Sequence, residues 1–355
     1  MTSLEILRRR PEHDPELFAL YAEVFGDGNL ERSRKRYDWQ YFENPNTPED
    51  GPVIWMAREG DTLLGQMATM PFPMWWGDRE VRASAGNDYF VRKNAQGRGI
   101  GIALSNRWAE EVDVALALGL TPSSHPLFRK IFTDVGPVPS FLKILDSTAV
   151  ARRKLGTVAG TLAGPIVGLG LALVSRNPVQ GGGVEVRPVQ AFGDEYDDLW
   201  LRARASYASC VRRDARYLRW KYLACPFRQY RVLEARRAGT LSGYAVIREE
   251  GEPNFRRGVI ADLFCDTTDS GTQDALISAA LADFASLNLV RVEVYCLNRR
   301  LAEALGRHGF RSGTTAVQYC VAYRGTPDGE GGPKTVLENV ANWNLFLGDG
   351  DLDRA

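Results

Sequence analysis

The feature that most restricts how this chain can fold is a repeat of itself. Tyr37-Asp-Trp39-Gln-Tyr41-Phe-Glu-Asn-Pro45 is echoed by Tyr217-Leu-Arg-Trp220-Lys-Tyr222-Leu-Ala-Cys-Pro226. Repetition on this scale implies that one supersecondary plan is used twice. Each copy is followed by a strand pair with a tight turn, Val53–Arg58 with Leu63–Met70 and Tyr230–Arg236 with Leu241–Ile247. Gly65 and Gly243 occupy matching places in the second strand of each pair, where a glycine marks a bulge or a close approach of another group. Asn87-Asp88-Tyr89-Phe90 then matches Ala261-Asp262-Leu263-Phe264 as a further strand. The expected helices after it are Ile100–Ala117 and Gln273–Leu287. The second copy continues with a strand, Val290–Tyr295, and a helix, Leu301–His308. Strands alternating with helices in both copies predict an α/β protein of two domains, each a mixed central sheet flanked by helices. The expected division is a first domain at 1–150, an apolar glycine-rich connector at 151–183, a second domain at 184–325, and a linker and tail at 326–355.

At 355 residues the chain has room for two domains of ordinary size. Lys+Arg and Asp+Glu are both 44, which argues against a basic nucleic-acid-binding surface. All five cysteines lie in the second half and none forms a CxxC pair, as expected for reduced thiols in a cytoplasmic protein. The three histidines, His13, His125 and His308, are far apart, so no metal site is expected. The Arg8-Arg9-Arg10 run precedes no apolar core, unlike a signal peptide.

The segment from Asp88 to Leu104 reads as strand, glycine-rich turn and helix, with Gln96-Gly97-Arg98-Gly99-Ile100-Gly101 as the turn. Glycines allow close approach of a ligand, and a helix start offers unpaired N–H groups and a positive dipole end to an anion. The spacing is neither that of a P-loop nor that of a dinucleotide fingerprint, whose third glycine is replaced by Ile102 or Leu104. Gln-x-x-Gly-x-Gly after a strand ending in Val91 instead resembles the acyl-CoA loop of the GNAT superfamily of N-acyltransferases. The run from Asn298 to Phe310, with Leu305-Gly-Arg-His-Gly-Phe310, resembles that family's fifth-strand and fourth-helix signature. The resemblance covers about residues 1–146 and 184–325. It implies that Gln96, Gly97, Arg98, Gly99, Ile100 and Gly101 hold the CoA pyrophosphate, with acetyl-CoA or another acyl-CoA as co-substrate and no metal. In the second copy the loop position reads Ser270-Gly-Thr-Gln-Asp-Ala275. Asp274 is expected there to compete with a phosphate for the helix amides. One CoA site per chain, in the first domain, is therefore expected.

The resemblance also implies direct attack of a primary amine on the thioester, which requires a base, a donor to the thioester oxygen and an outlet for the thiolate. Phe90 and Val91 supply the expected backbone donor, on a bulged strand. Asp88 is the candidate base, with a structural carboxylate as its other reading. The family's helix-four tyrosine is replaced by Phe132, which leaves Ser123, Ser124 and His125 as substitute acids; His125, preceding Pro126, is expected in extended backbone. Trp75-Trp76 is placed in a hairpin turn, lining an acceptor or acyl pocket or touching lipid. The leading function is N-acyl (N-acetyl) transfer to a small-molecule amine. A longer-chain, membrane-proximal N-acyltransferase and a non-catalytic CoA- or partner-binding module stand as alternatives.

Leu155–Val174 carries no charge and follows Arg152-Arg153-Lys154, with Gly156, Gly160, Gly164 and Gly168 at every fourth place. Three readings stay open for it: a surface connector, an interfacial anchor making peripheral membrane contact, and a span of about 20 residues. A span would separate the two repeats. The tail, with Trp343, Leu345, Phe346 and Leu347 ahead of Asp349, Asp351 and Asp353, is expected to dock back on the protein.

Overall fold

The computed structural model describes residues 3–25, 30–156, 182–253, 255–323, 336–337 and 339–350. The strands are β1 (Leu4–Arg8), β2 (Ile54–Glu59), β3 (Thr62–Trp76), β4 (Arg79–Val91), β5 (Val114–Leu120), β6 (Thr133–Ile144), β7 (Val184–Val189), β8 (Ser209–Val211), β9 (Arg231–Arg237), β10 (Thr240–Glu252), β11 (Phe255–Cys265), β12 (Arg291–Leu297), β13 (Arg311–Tyr323) and β14 (Trp343–Phe346). The helices are α1 (Asp14–Phe25), α2 (Leu30–Tyr37), α3 (Ile100–Glu111), α4 (His125–Phe128), α5 (Ser147–Leu155), α6 (Glu195–Ala203), α7 (Ala215–Leu218), α8 (Ser270–Ser286) and α9 (Arg299–Arg307). No described helix is long and apolar enough to cross a membrane. The connector from residue 157 to 181, on which the membrane readings rest, lies outside the described residues.

The strands run β1-β2-β3-β4-β5-β13-β6-β12-β11-β10-β9-β7 in a single mixed sheet, with β8 and β14 off this path. Its two halves are joined by exchange. β13, from the second repeat, pairs with β5 of the first, while β6, from the first repeat, pairs with β12 of the second. β6 and β13 also pair with each other, so the chain is an α/β protein whose two repeats share one sheet.

The sequence repeat is a structural one. Each copy contains a short π-helical turn, Asp38–Phe42 and Arg219–Leu223, followed by a hairpin. Trp39 and Trp220 stack at 5.2 Å. Each indole N–H donates to the other's carbonyl, Trp39 Nε1 to Trp220 O at 3.1 Å and Trp220 Nε1 to Trp39 O at 2.8 Å. Reciprocal contacts of this kind mark an approximate two-fold relation. The glycine expectation is met in both hairpins. Register shifts fall beside Gly65 and Gly243, and a Cβ would lie 2.7 Å from Phe90 O at Gly65 and 2.9 Å from Phe264 O at Gly243.

Three local expectations are corrected. The helix expected over Ile100–Ala117 ends at Glu111, because Val114–Leu120 is a strand buried between β4 and β13. A strand with both faces covered shows no polar alternation, so its apolar run extends the helical pattern. His125 is the first residue of α4 rather than extended, with Pro126 in the first turn, where its missing N–H costs nothing. Trp75 and Trp76 end β3, paired alongside Cys210 and Ser209 of β8, and both are buried, Trp76 meeting Trp343 at 5.3 Å, so neither forms an exposed pocket wall.

Candidate functional site

β4 and β5 run parallel for three pairs, Ala83 with Val114, Ser84 with Ala115 and Ala85 with Leu116, and then part. Beyond that point a cavity of about 780 Å³ opens, walled by Gly86–Val91 of β4 and Ala117–Leu120 of β5, and closed at its outer end by the glycine turn. The bulge expected in β4 is present: Gln66 pairs with Phe90 and Ala68 with Asn87, so Asp88 and Tyr89 together face Met67. Asp88 has φ +45°, a conformation that non-glycine residues adopt only when their surroundings impose it.

Those surroundings are a clamp. Arg36 Nη2 donates to both Asp88 oxygens at 2.8 Å, and the Tyr21 and Tyr41 hydroxyls each donate to Oδ2 at 2.6 Å. The Asp88 side chain is 1% exposed. Burial disfavours the Arg36 cation, but Asp88 and the tyrosines outweigh it and hold the guanidinium above its ordinary value. Burial, followed by the charge of Asp88, pushes both tyrosines well up, so they stay donors. A carboxylate whose lone pairs are already filled by an arginine and two hydroxyls is ill placed to take a proton from an amine. The geometry favours the structural reading of Asp88, with side chains in place of the expected backbone partners.

Arg92 N–H donates to Leu64 O across the ladder at 2.8 Å. Alternation therefore turns the Phe90 N–H toward β3 and the Val91 N–H toward the cleft. Of the two expected backbone donors, only Val91 faces the cavity. The turn residues divide by role. Gly97 and Gly99 have φ +80° and +78°, and a Cβ on either would meet nothing within 4 Å, so both face open space. Gly99 is the N-cap of α3 and no side chain caps it, which leaves the amides of Ile100, Gly101 and Ile102 without intrahelical acceptors. Gly101 is a packing glycine instead: a Cβ there would lie 2.0 Å from the Tyr89 hydroxyl. Gln96 ties the turn to the strand, donating to Val91 O at 3.0 Å. Arg98 pairs with Glu59 at 2.8 Å, at the surface.

Ser123 and Ser124 line the cavity, and their hydroxyls bond Thr121 Oγ1 at 2.9 and 3.1 Å. His125 is not among the lining residues; its Nε2 lies 3.1 Å from Asp134 Oδ2. His125, Asp134 and Cys320 hold their donor atoms within 4.8 Å of one another. Both Asp134 oxygens are already engaged there, by Arg129 at 3.0 Å, by His125 and by the Gly136 amide at 3.0 Å, which is an ordinary polar cluster. Asn87 and Tyr89 are cavity residues that the sequence reading did not single out.

The matching cleft of the second repeat is filled. β11 and β12 part after Ile260 and Val294. β14 enters the gap, pairing Phe346 with Cys296 and Leu345 with Leu297. Asn298 Nδ2 donates to Asn344 Oδ1 at 2.7 Å. The helix start is occupied as well, though by Asp269 rather than Asp274: Asp269 Oδ1 accepts the Thr272 amide at 3.0 Å. Burial raises the Asp269 carboxyl, but Thr272 and Arg237 outweigh that and hold it below its ordinary value. Asp274 lies a turn further on and pairs with Arg307 at 2.9 Å and His308 at 3.1 Å.

A parted parallel strand pair beneath a glycine turn and helix start, with a bulged first strand, is the arrangement of the GNAT fold, and the chain has that fold. No family model matches the chain, and no curated protein does. Among solved structures, a conserved protein from Enterococcus faecalis, a probable N-acyltransferase, aligns with a TM-score of 0.61 at 12% identity, over 90% of this chain and 72% of the other. A GCN5-related N-acetyltransferase from Anabaena variabilis aligns at 0.59 and 13% identity, over 90% and 73%. Saccharomyces cerevisiae N-myristoyltransferase with bound myristoyl-CoA aligns at 0.53 and 11% identity, over 92% and 84%.

Proposed function

We propose that this chain is an acyl-CoA-dependent N-acyltransferase that carries an acyl group to the primary amine of a small acceptor, with one donor site, in the β4/β5 cleft. The observation that carries this reading is the open cleft below an uncapped helix start. The amides of Ile100, Gly101 and Ile102 have no intrahelical acceptor and their residues line the cleft, which suits a pyrophosphate. The walls below are mostly apolar, which suits a thin arm and acyl group laid between two strands. In the reaction a neutral amine attacks the thioester carbon, the C–N bond forms, the C–S bond breaks, the thiolate leaves and the amine's proton passes to water. The Val91 N–H and the hydroxyls of Thr121, Ser123 and Ser124 lie along the same cleft, nearer its outer end. Asp88 holds the β4 bulge between that end and the strand split.

Titration calorimetry with CoA tests the reading. The wild type binds, and Gly99→Glu, which places a carboxylate at the anion site and a side chain at φ +78°, abolishes binding. A wild type that takes up no CoA sinks the proposal. A second reading, a donor with a longer acyl chain, is favoured by one observation. The cavity, about 780 Å³, is lined as far as Gly86 at the strand split and by Trp108 and Phe128 on the α3 side, which suits an apolar chain longer than an acetyl group. Thiol release from acetyl-CoA against long-chain acyl-CoA, across a panel of amines, separates the two.

A further inference from the structure

Close to the point where β4 leaves β5, one polar side chain is left alone. Asn87 lines the cavity and is 5% exposed, and its amide nitrogen is buried without a hydrogen-bond partner. A buried donor left unpaired costs free energy, and natural structures tolerate it chiefly where something else completes it. Asn87 is also held fast. Its backbone is in register with Ala68 on β3, and the next residue is the bulged Asp88, locked by Arg36, Tyr21 and Tyr41. A rigid, unsatisfied donor in a cleft wall has the properties of a preorganised electrostatic group.

Its place along the cleft assigns the partner. The anion site is at the outer end, beyond Val91. Asn87 is four residues further in, about 13 Å along an extended strand, and two residues from the last β4–β5 pair at Ala85. A donor anchored by its phosphates at the turn and laid along β4 therefore brings its reactive end to Asn87. We infer that the Asn87 carboxamide donates a hydrogen bond to the oxygen of the acyl thioester. The inference rests on the acyltransferase reading. As the amine attacks, the C–N bond forms and the carbonyl π electrons move onto this oxygen, where the amide N–H stabilises them. Collapse restores the C=O bond, expels the thiolate, and the ammonium proton leaves to water.

The test is steady-state kinetics of Asn87→Leu, a side chain of similar size without a donor, with calorimetry and thermal unfolding alongside. Loss of one such donor lowers kcat by about 10²–10³-fold. KM for acyl-CoA and the affinity for CoA itself, which lacks the acyl oxygen, stay within about threefold, and Tm does not fall, because the side chain has no partner to lose. A variant with kcat within threefold of wild type overturns the inference while leaving the acyltransferase reading intact. So does a loss of kcat accompanied by an equal loss of CoA affinity or by a large drop in Tm, which would make Asn87 a structural residue. Should Asn87→Leu fail to fold, Asn87→Ala carries the same expectations. A wild type that releases no thiol from any acyl-CoA fails one level higher and removes the reading on which the inference stands.

Discussion

The two clefts of this molecule lie at matching places in the two repeats and differ in what fills them. In the first repeat the strands part around a cavity of about 780 Å³, below a helix start that no side chain caps. In the second the gap holds β14, and the helix start holds the Asp269 carboxylate. The contrast teaches that a parted strand pair exposes backbone and apolar walls that must be covered by something. The second cleft covers them with this chain's own tail. The first leaves them open, and on the proposed reading the donor covers them.

The largest expected effect comes from undoing that cover. Ending the chain before Trp343 removes Trp343, Leu345 and Phe346, all at most 2% exposed, together with Asp349, which bonds Arg213 at 2.7 Å. Three large buried side chains at about 2–3 kcal/mol each exceed the margin of many domains. The truncated chain is expected to be insoluble or unfolded by circular dichroism, and Trp343→Ala to lose about 3–5 kcal/mol in a urea titration. A truncated chain that folds and binds CoA at two sites would break the comparison, because the second cleft would then be a masked donor site.

The next effect tests the two buried aspartates against each other. Asp88→Ala removes the carboxylate that Arg36, Tyr21 and Tyr41 share, and about 3–5 kcal/mol is expected. Asp262 has matching partners, Tyr222 and Tyr244 at 3.0 Å and Arg213 at 2.9 Å, but Arg213 also keeps Asp349. Asp262→Ala is therefore expected to cost about half as much by the same titration. Equal losses would mean that the tail contributes nothing to holding Arg213.

These clamps mark the limit of what could be read from the residues alone. The hairpins, the bulge glycines Gly65 and Gly243 and the glycine turn were legible, because each is written in neighbouring positions. The Asp88 clamp draws Tyr21, Arg36 and Tyr41 from across 67 residues of sequence and leaves no local trace. The exchange of β6 and β13 is equally silent, since any apolar strand satisfies the pattern of a sheet interior. Asn87 was passed over because its significance lies in a missing partner, which only a three-dimensional count of hydrogen bonds exposes. The tail was legible as something that docks, from Trp343, Leu345 and Phe346, but its destination depended on a gap that the sequence does not show.

A smaller effect is expected at Gly101. Counted from the N-caps Gly99 and Asp269, the matching position of the second repeat is Gly271, where a Cβ would come no nearer than 3.1 Å to the Arg237 side chain, whereas a Cβ on Gly101 would meet the Tyr89 hydroxyl. Gly101→Ala is expected to cost about 1–3 kcal/mol by overpacking, and Tyr89→Phe in the same chain to recover most of it. Failure of that rescue would place the constraint in the backbone, as with Gly97 and Gly99, and blur the division of roles within the turn.

The smallest expected effect is a pH dependence confined to the second repeat, where His308 packs against Asp274 of α8, Arg307 of α9 and Lys143 of β6. Burial lowers the imidazole below its ordinary value of 6.5, and the raising influence of Asp274 does not reverse this. Below pH 6.5 the unfolded chain therefore gains a proton that the folded chain refuses. This contribution to stability is complete above pH 6.5 and declines as the pH falls toward the folded value, by at most about 1.4 kcal/mol per unit. The carboxylates with lowered values, Glu234, Glu250 and Asp269, begin to lose stability only near their ordinary 4.5 and 3.8, so the windows do not overlap. Urea midpoints at pH 7.0 and 5.5 should fall for the wild type and stay level for His308→Gln. A parallel fall in both proteins would move the titrating group elsewhere, and would remove the one ionisable difference expected between the two helix starts in this pH range.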